Sequence, residues 1–158
     1  MPALPAARAW RRLLALPGLL LAGAAWAAGP FGQPPAPQHG TEPAAPSAAT
    51  NAAQYRMDAA RHVYARYPLQ VLHGKVPPHV YAIVVTETDV DAQGRVVAVR
   101  VLRKPSSAHE VTPWVVAMIR QAAPMPPLQR MKRTRYVETW LVDRSGQFQV
   151  RTLTEGQD

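Results

Sequence analysis

The chain has 158 residues, a formal net charge of +8 and no cysteine. The lack of cysteine excludes disulfides, thiol catalysis, thiolate zinc sites and lipid attachment at an N-terminal cysteine, so packing alone must hold the fold together. The basic balance favours anionic surfaces, but charge by itself describes loose association rather than a defined partner.

The N-terminal segment has the order of a secretory signal peptide. Three arginines precede an apolar run from Leu13 to Ala28, and Ala25-Trp26-Ala27 provides small residues on both sides of a cleavage point. The run is shorter than the roughly 20 apolar residues of a spanning helix, and Pro17 interrupts it. We therefore predict that residues 1–27 are a signal peptide and that the mature protein is periplasmic or secreted, its charge lowered from +8 to +5 by the loss of those three arginines. The alternative is an uncleaved anchor in the inner membrane. For an exported chain we expect no nucleic-acid partner.

Residues 28–50 have the composition of a disordered linker. They are rich in Pro, Ala, Gly, Gln and Ser, with Phe31 as the only large apolar side chain and Glu42 as the only charged one. Such a segment cannot bury enough apolar surface to offset the entropy lost on ordering. We predict a disordered linker between the signal peptide and a single domain of residues 51–158.

The first half of that domain predicts a helix followed by a β-hairpin. Asn51 is suited to cap a helix that runs to about Arg66. Residues 80–90 and 96–102 are rich in β-branched side chains, and Asp91-Ala92-Gln93-Gly94 between them has turn chemistry. The predicted apolar face of the helix consists of Ala53, Met57, Ala60 and Tyr64.

The second half predicts another helix and a second pair of strands. Thr112 is suited to cap this helix, with Pro113 at the first position, where its missing N–H costs nothing. Strands over residues 136–142 and 147–153 follow, joined by a turn. The predicted apolar stripe of the second helix consists of Val115, Met118, Ile119 and Ala122.

Taken together, these features resemble the C-terminal domain of the TonB energy transducers over about residues 59–153. They are Tyr67-Pro68 after a short helix, a hairpin with Asp91-Ala92-Gln93-Gly94-Arg95 at its turn, the strand of residues 96–102, the amphipathic helix of residues 115–122 followed by prolines, and a closing strand around residues 137–142. The resemblance implies an α+β fold in which an antiparallel β-sheet of three to four strands packs against two helices.

The resemblance also implies a function in the cell envelope. In the TonB family the domain lies in the periplasm and binds a short peptide of outer-membrane receptors as an added strand, while inner-membrane motor proteins pull on it. This chain departs from the family because residues 13–28 lack the polar residues that engage the motor, and a short, nearly uncharged linker replaces the long Glu-Pro and Lys-Pro spacer. Our main hypothesis is an exported periplasmic module that recognises an envelope protein or outer-membrane receptor peptide by β-strand addition. The alternatives are a membrane-anchored energy transducer that drives transport through outer-membrane receptors, and an envelope enzyme or inhibitor whose site is not recognised.

The sequence contains no arrangement typical of a catalytic, cofactor or metal site. Glu87, Asp89 and Asp91 cluster near the hairpin turn, as paired carboxylates or a cation site would, but alternating polar positions beside a turn are the plainer interpretation. We therefore predict no enzymatic activity, no cofactor and no metal. The histidines are scattered without the spacing of zinc ligands: His62, His73, His79 and His109.

The edge of the predicted sheet is the feature with the most functional content. An edge strand offers unpaired N–H and C=O groups that a guest strand can complete, while alternate side chains give selectivity. We predict that residues 136–142 or residues 147–153 form this edge; the alternative is an edge blocked by its own charges or by self-association. The predicted partner contacts are Tyr136, Val137, Glu138, Thr139, Trp140, Phe148, Gln149, Val150 and Arg151.

A basic loop precedes the closing strand. Clustered positive charge favours contact with anionic lipid or with an acidic partner, and the alternative interpretation is a solvated connector. The sequence does not decide whether this loop contacts a membrane. The basic residues are Arg130, Lys132, Arg133 and Arg135.

Overall fold

The computed structural model describes residues 29–38, 44–154 and 156, so the predicted signal peptide lies outside the described residues. The strands form an open antiparallel sheet in the order β2-β1-β3-β4, accompanied by two helices, which confirms the predicted α+β fold. Within the described ranges, no helix is both long and apolar enough to cross a membrane. The elements are α1 (Ala52–Arg66), β1 (Ala82–Asp91), β2 (Val96–Arg103), α2 (Val111–Gln121), β3 (Arg133–Val142), β4 (Phe148–Val150) and a short 3₁₀ turn (Arg151–Leu153).

Side-chain alternation divides the sheet into a covered face and an open face. In β1 every second residue from Ala82 to Val90 is buried, and each lies opposite a buried residue of β3, from Val142 back to Thr134. Both helices pack on this covered face and complete the core. The open face carries an apolar end, around Ile83 and Leu141, and a charged end near the β1–β2 turn.

Helix α1 begins as predicted, and its buried face overlaps the predicted one in part. The Asn51 side chain accepts a hydrogen bond from the Gln54 N–H at 3.0 Å, which satisfies one of the unpaired donors of the first turn. Of the predicted face, Ala60 is buried and Met57 and Tyr64 are half-buried, but Ala53 is exposed, so the prediction is wrong at Ala53. Tyr55 is fully buried instead, because its hydroxyl donates to the Pro126 carbonyl at 2.9 Å, a partner distant in sequence. The buried residues of α1 are Tyr55, Ala59, Ala60 and Val63.

The β1–β2 turn confirms the predicted hairpin and explains its glycine. Gly94 has φ +81°, and its N–H donates to the Asp91 carbonyl at 3.0 Å. A Cβ at this position would lie 2.0 Å from the Met125 carbonyl oxygen, so no larger residue fits. The Gly94 carbonyl accepts from the Met125 N–H at 2.8 Å, which joins the turn to the segment after α2. The turn is therefore a tertiary contact as well as a local one.

Helix α2 has the predicted apolar stripe but not the predicted cap. The helix begins at Val111 with Glu110 before it, and the Thr112 hydroxyl is buried without a partner among the described residues. Tyr67 at the end of α1 donates its hydroxyl to the Met118 carbonyl at 2.9 Å, and burial raises the pKa of Tyr67 to about 12. The two helices are thus joined by a buried hydrogen bond. The residues Val115, Met118, Ile119 and Ala122 are all buried, as predicted.

The described part of the predicted linker differs from the disordered segment that its composition suggests. Phe31 stacks on Tyr81 with ring centroids 5.6 Å apart and meets Trp114 edge-on at 5.4 Å. Ser47 forms a parallel bridge with Leu128 and is buried. Composition does not predict this docking, because the aromatic slot that receives Phe31 exists only after α2 has packed against the residue preceding β1.

Candidate functional site

Strand β3 is an interior strand for part of its length and an edge strand for the rest. It pairs with β1 along its whole length, from Arg133 opposite Asp91 to Val142 opposite Ala82. On its other side, β4 pairs only with residues 140–142. The prediction of a whole edge strand over residues 136–142 is therefore wrong in extent. The free stretch is residues 133–139, which we call the β3 outer edge.

The backbone groups along the β3 outer edge point alternately inward and outward. The Asp91 N–H donates to the Arg95 carbonyl in the hairpin. Because successive residues of a strand direct their backbone groups to opposite sides, Asp91, Asp89 and Glu87 all direct theirs towards β2. Their partners on β3 are Arg133, Arg135 and Val137, which consequently direct their N–H and C=O groups away from β1. These outward groups have no hydrogen-bond partner among the described residues.

A buried carboxylate marks the end of the β3 outer edge. The Glu138 Oε1 atom accepts from the Thr139 N–H at 2.9 Å and from the Thr152 N–H at 3.4 Å. These hydrogen bonds replace the pairing between β3 and β4, which ends where the chain enters the 3₁₀ turn at Arg151. Desolvation raises the pKa of Glu138, and its second oxygen is buried without a partner among the described residues. A guest strand would therefore end at Glu138.

The outer edge of β4 is closed, which corrects the prediction that residues 147–153 form an available edge. The Phe148 N–H donates to the Gln70 carbonyl at 2.7 Å, and the Leu72 N–H donates to the Phe148 carbonyl at 2.9 Å. The Gln149 side chain adds a bond to the Leu72 carbonyl at 2.8 Å. Phe148, Gln149 and Val150 are all buried. The segment after α1 thus occupies the position that a partner would need.

The predicted contact side chains of β3 fall on two faces. Tyr136, Glu138 and Trp140 belong to the covered face and are buried, so their side chains are not available to a partner. Trp140 is anchored there by a hydrogen bond from its Nε1 to the Thr86 hydroxyl at 3.1 Å. Val137, by contrast, is 40% exposed on the open face. Arg151 is also exposed, and Thr139 is half-buried.

Two of the four predicted loop cations are strand residues that form ion pairs. Arg133 makes a two-pronged contact with Asp89, with Nε 2.6 Å from Oδ1, and this contact holds the pKa of Asp89 below its usual range. Arg135 lies 3.6 Å from both Glu87 and Asp89. The sequence signal that was missed is the alternation of Arg133 and Arg135 with Thr134 and Tyr136. This alternation belongs to β3, which begins at Arg133 rather than at Tyr136. Arg130 and Lys132 are exposed, with no acidic partner among the described residues.

The outer edge of β2 is the other candidate, and it is irregular. Two register shifts against β1 leave Val97 and Leu102 as extra residues, so the strand has a bulge near each end. These bulged residues are 52% and 55% exposed. Bulges twist an edge strand and interrupt its hydrogen-bond pattern, which disfavours pairing with another chain. The β3 outer edge is therefore the better candidate for strand addition.

The acidic cluster near the hairpin turn is held by arginines. Glu87 contacts Arg100 at 2.8 Å, and Asp91 contacts Arg95 at 2.6 Å. Throughout residues 29–38, 44–154 and 156, no group of three His, Asp or Glu side chains is placed to hold a metal ion. The plainer interpretation of the acids, as alternating polar positions, agrees with these ion pairs. None of the protein-family models, curated proteins or solved structures compared with the chain matches it.

Proposed function

We propose that this protein is an exported, periplasmic binding module, similar to the TonB C-terminal domain, that captures an extended peptide of an envelope partner as a strand added to the β3 outer edge. The observation that supports this proposal is the set of outward N–H and C=O groups on Arg133, Arg135 and Val137, beside a β4 strand that stops short. The chemistry is binding by backbone hydrogen bonds, without a cofactor.

The geometry limits the length of the peptide. The part of the β3 outer edge that a guest can use, residues 133–138, is about 20 Å long at ~3.4 Å per residue, so it pairs with about six guest residues. The guest would lie in line with β4 and stop at Glu138, where the Thr139 N–H is already bonded. It would therefore extend the outer row of the sheet that β4 begins.

The side chains beside this edge suggest the character of the peptide. Every second guest side chain would lie on the open face, next to the exposed Val137. Arg130 and Lys132 lie at the start of β3 without acidic partners in the described part of the chain. A guest peptide would fit both features if it has an apolar residue opposite Val137 and an acidic residue at the end that lies near Arg130 and Lys132.

The proposal is tested by titrating isotope-labelled full-length protein with six-residue peptides from outer-membrane receptors. We expect the backbone amide signals of Arg133, Arg135 and Val137 to shift, because their N–H groups acquire hydrogen-bond acceptors. The amide signals of Val97 and Val99 on β2 serve as the internal reference and should remain in place. Shifts confined to β2, or no shifts at saturating peptide, would rule out strand addition at β3.

A further inference from the structure

The open face of the sheet contains a groove of about 500 Å³ that strand addition does not use. Its floor is formed by Ile83 and Val85 of β1 and by Leu141 of β3, all half-buried. Neither α1 nor α2 covers this face, so these apolar side chains are partly open to solvent in the described part of the chain. The remaining lining residues are Thr139, Thr154, Gly156, Arg103 and Arg151.

The side wall of the groove is held in place by hydrogen bonds. The Thr154 hydroxyl donates to the Gln149 side-chain oxygen at 2.8 Å, and the Gly156 carbonyl accepts from the Val76 N–H at 2.9 Å. Gln149 is itself buried, which fixes the position of the wall against the sheet. The groove is therefore a built feature of the fold and lies within the size range of small-molecule sites, roughly 300–1,000 Å³.

Two arginines give the groove a positive rim. Arg103 and Arg151 are exposed, and neither has an acidic partner among the described residues. Elsewhere on the same face, Arg100 is paired with Glu87 and Arg133 with Asp89. The positive charge at the groove is thus uncompensated by the described acids, whereas the charge at the other end of the face is balanced. Both arginines line the same groove, so an anionic group bound at its rim would have positive side chains beside it.

The floor selects against a peptide and for a hydrocarbon chain. It is provided by β1 and β3, and β1 pairs with β2 on one side and with β3 on the other, so its backbone groups are engaged within the sheet. An extended peptide lying on Ile83, Val85 and Leu141 would bury its own N–H and C=O groups against side chains that cannot bond them. An acyl chain has no such groups and gains from the removal of its apolar surface from water.

We propose that this groove binds a fatty acid, its chain on the floor of Ile83, Val85 and Leu141 and its carboxylate at the rim that carries Arg103 and Arg151. The site is separate from strand addition, because it uses none of the outward backbone groups of Arg133, Arg135 and Val137.

The test is calorimetric titration of the full-length protein with dodecanoate below its micelle concentration. We expect saturable binding, about fivefold weaker for decanoate, because an open groove buries only part of each methylene. Arg103→Gln and Arg151→Gln should each weaken binding about tenfold through loss of a charge-assisted contact. Arg120→Gln, an exposed arginine on α2, is the matched control and should bind like the wild type. A lysophospholipid with the same chain, titrated in parallel, should bind more weakly, and tighter binding than dodecanoate would assign the groove to a phospholipid instead.

Several results would overturn this assignment. Equal binding of dodecyltrimethylammonium would show that the head group is not recognised, and unchanged affinity in both arginine variants would lead to the same conclusion. Displacement of dodecanoate by a short apolar peptide of higher affinity would assign the groove to a peptide instead. A switch from monomer to dimer on adding dodecanoate, measured by sedimentation, would assign the face to a second copy of this chain.

Discussion

The two outer edges of this sheet expose backbone groups in different ways. The β2 edge carries a bulge near each end, with Val97 and Leu102 as exposed extra residues. The β3 outer edge pairs with β1 without a register shift and ends at the hydrogen bonds of Glu138. The β2 edge thus has both the larger exposed apolar side chains and the less regular backbone.

The regularity of the backbone hydrogen-bond pattern decides whether an edge can accept a strand. Exposed apolar side chains alone make an edge prone to association, and bulges counter this by disturbing the hydrogen-bond pattern. On β3 the pattern is regular, but the accessible stretch is short because β4 covers one end. A regular edge of limited length favours one short peptide over indefinite pairing between copies. The predictions below test this contrast between the edges.

The largest expected effect comes from blocking the β3 edge. Val137→Pro removes an outward N–H and places a ring in the path of the guest, while the pairing with β1 does not use that N–H. We expect peptide affinity to fall at least about 100-fold, the loss of a hydrogen bond plus a steric clash. The control is Val97→Pro, a proline at the exposed bulge of β2, which should keep wild-type affinity in the same calorimetric assay. Equal losses in both variants would contradict the contrast between the edges.

The second prediction removes the protection of β2. Deleting Leu102 eliminates one bulge and extends the regular pairing of β2, so we expect self-association to tighten at least about tenfold. The control is Leu102→Ser, which removes the exposed apolar side chain but keeps the extra residue. Sedimentation velocity over a concentration series measures both variants. If Leu102→Ser and the deletion behave alike, the bulge has no protective role.

The third prediction concerns charge beside the β3 edge. Changing Arg130 and Lys132 together to Gln should weaken binding of an acidic peptide by about three- to tenfold, mostly through a slower association rate. The effect should shrink when the salt concentration is raised, because these side chains are exposed. The matched control is the double change of Lys104 and Arg120 to Gln, which removes the same charge away from this edge. Stopped-flow binding at two salt concentrations separates these outcomes.

The smallest effect should follow from the carboxylate that ends the β3 edge. Because desolvation raises the pKa of Glu138 in the folded state, the folded protein holds this proton more tightly than the unfolded chain does. The contribution of Glu138 to stability is therefore fully present below the unfolded pKa and is lost as pH rises through the folded pKa. Glu138→Gln keeps an acceptor for the Thr139 N–H, so the variant should gain stability relative to the wild type as pH rises from about 4 to about 8.

Glu110→Gln is the control for this pH dependence, because its sign is opposite. The hydrogen bond from Tyr81 lowers the pKa of Glu110, so its contribution is present above the unfolded pKa and is lost as pH falls through the folded pKa. Chemical denaturation across the same pH range measures both variants. A Glu138→Gln difference that does not change with pH would mean that this carboxylate is solvated in the folded protein.

Much of the fold could be predicted because its signals are local. The cap at Asn51 forms with the Gln54 N–H, three positions later, and the turn that begins at Asp91 can be recognised from Gly94. The apolar stripe of α2 was predictable for the same reason, since helical spacing depends on neighbours alone. The cap at Thr112 failed because packing shifted the start of the helix to Val111 and buried the hydroxyl.

The candidate site was only partly predictable, because it depends on which strand segments remain uncovered. Val137 lies on the open face beside the β3 outer edge, and its role as a partner contact stays a prediction. Phe148 and Gln149 were predicted to contact a partner, but Gln70 and Leu72 of the chain itself form hydrogen bonds with them. Nothing within a few residues of β4 encodes that contact. An irregular segment more than 70 positions away forms it.

By itself, the sequence determined the order of helices and strands, the position of the hairpin turn and the alternation that gives the sheet two faces. These features follow from interactions over a few residues, which composition and spacing express directly. Only the tertiary structure decided that Arg133 pairs with Asp89, that Phe31 docks between Tyr81 and Trp114, and that the β3 outer edge stays open. The reason is that strand order and edge coverage result from competition between distant segments for the same hydrogen bonds and apolar surface.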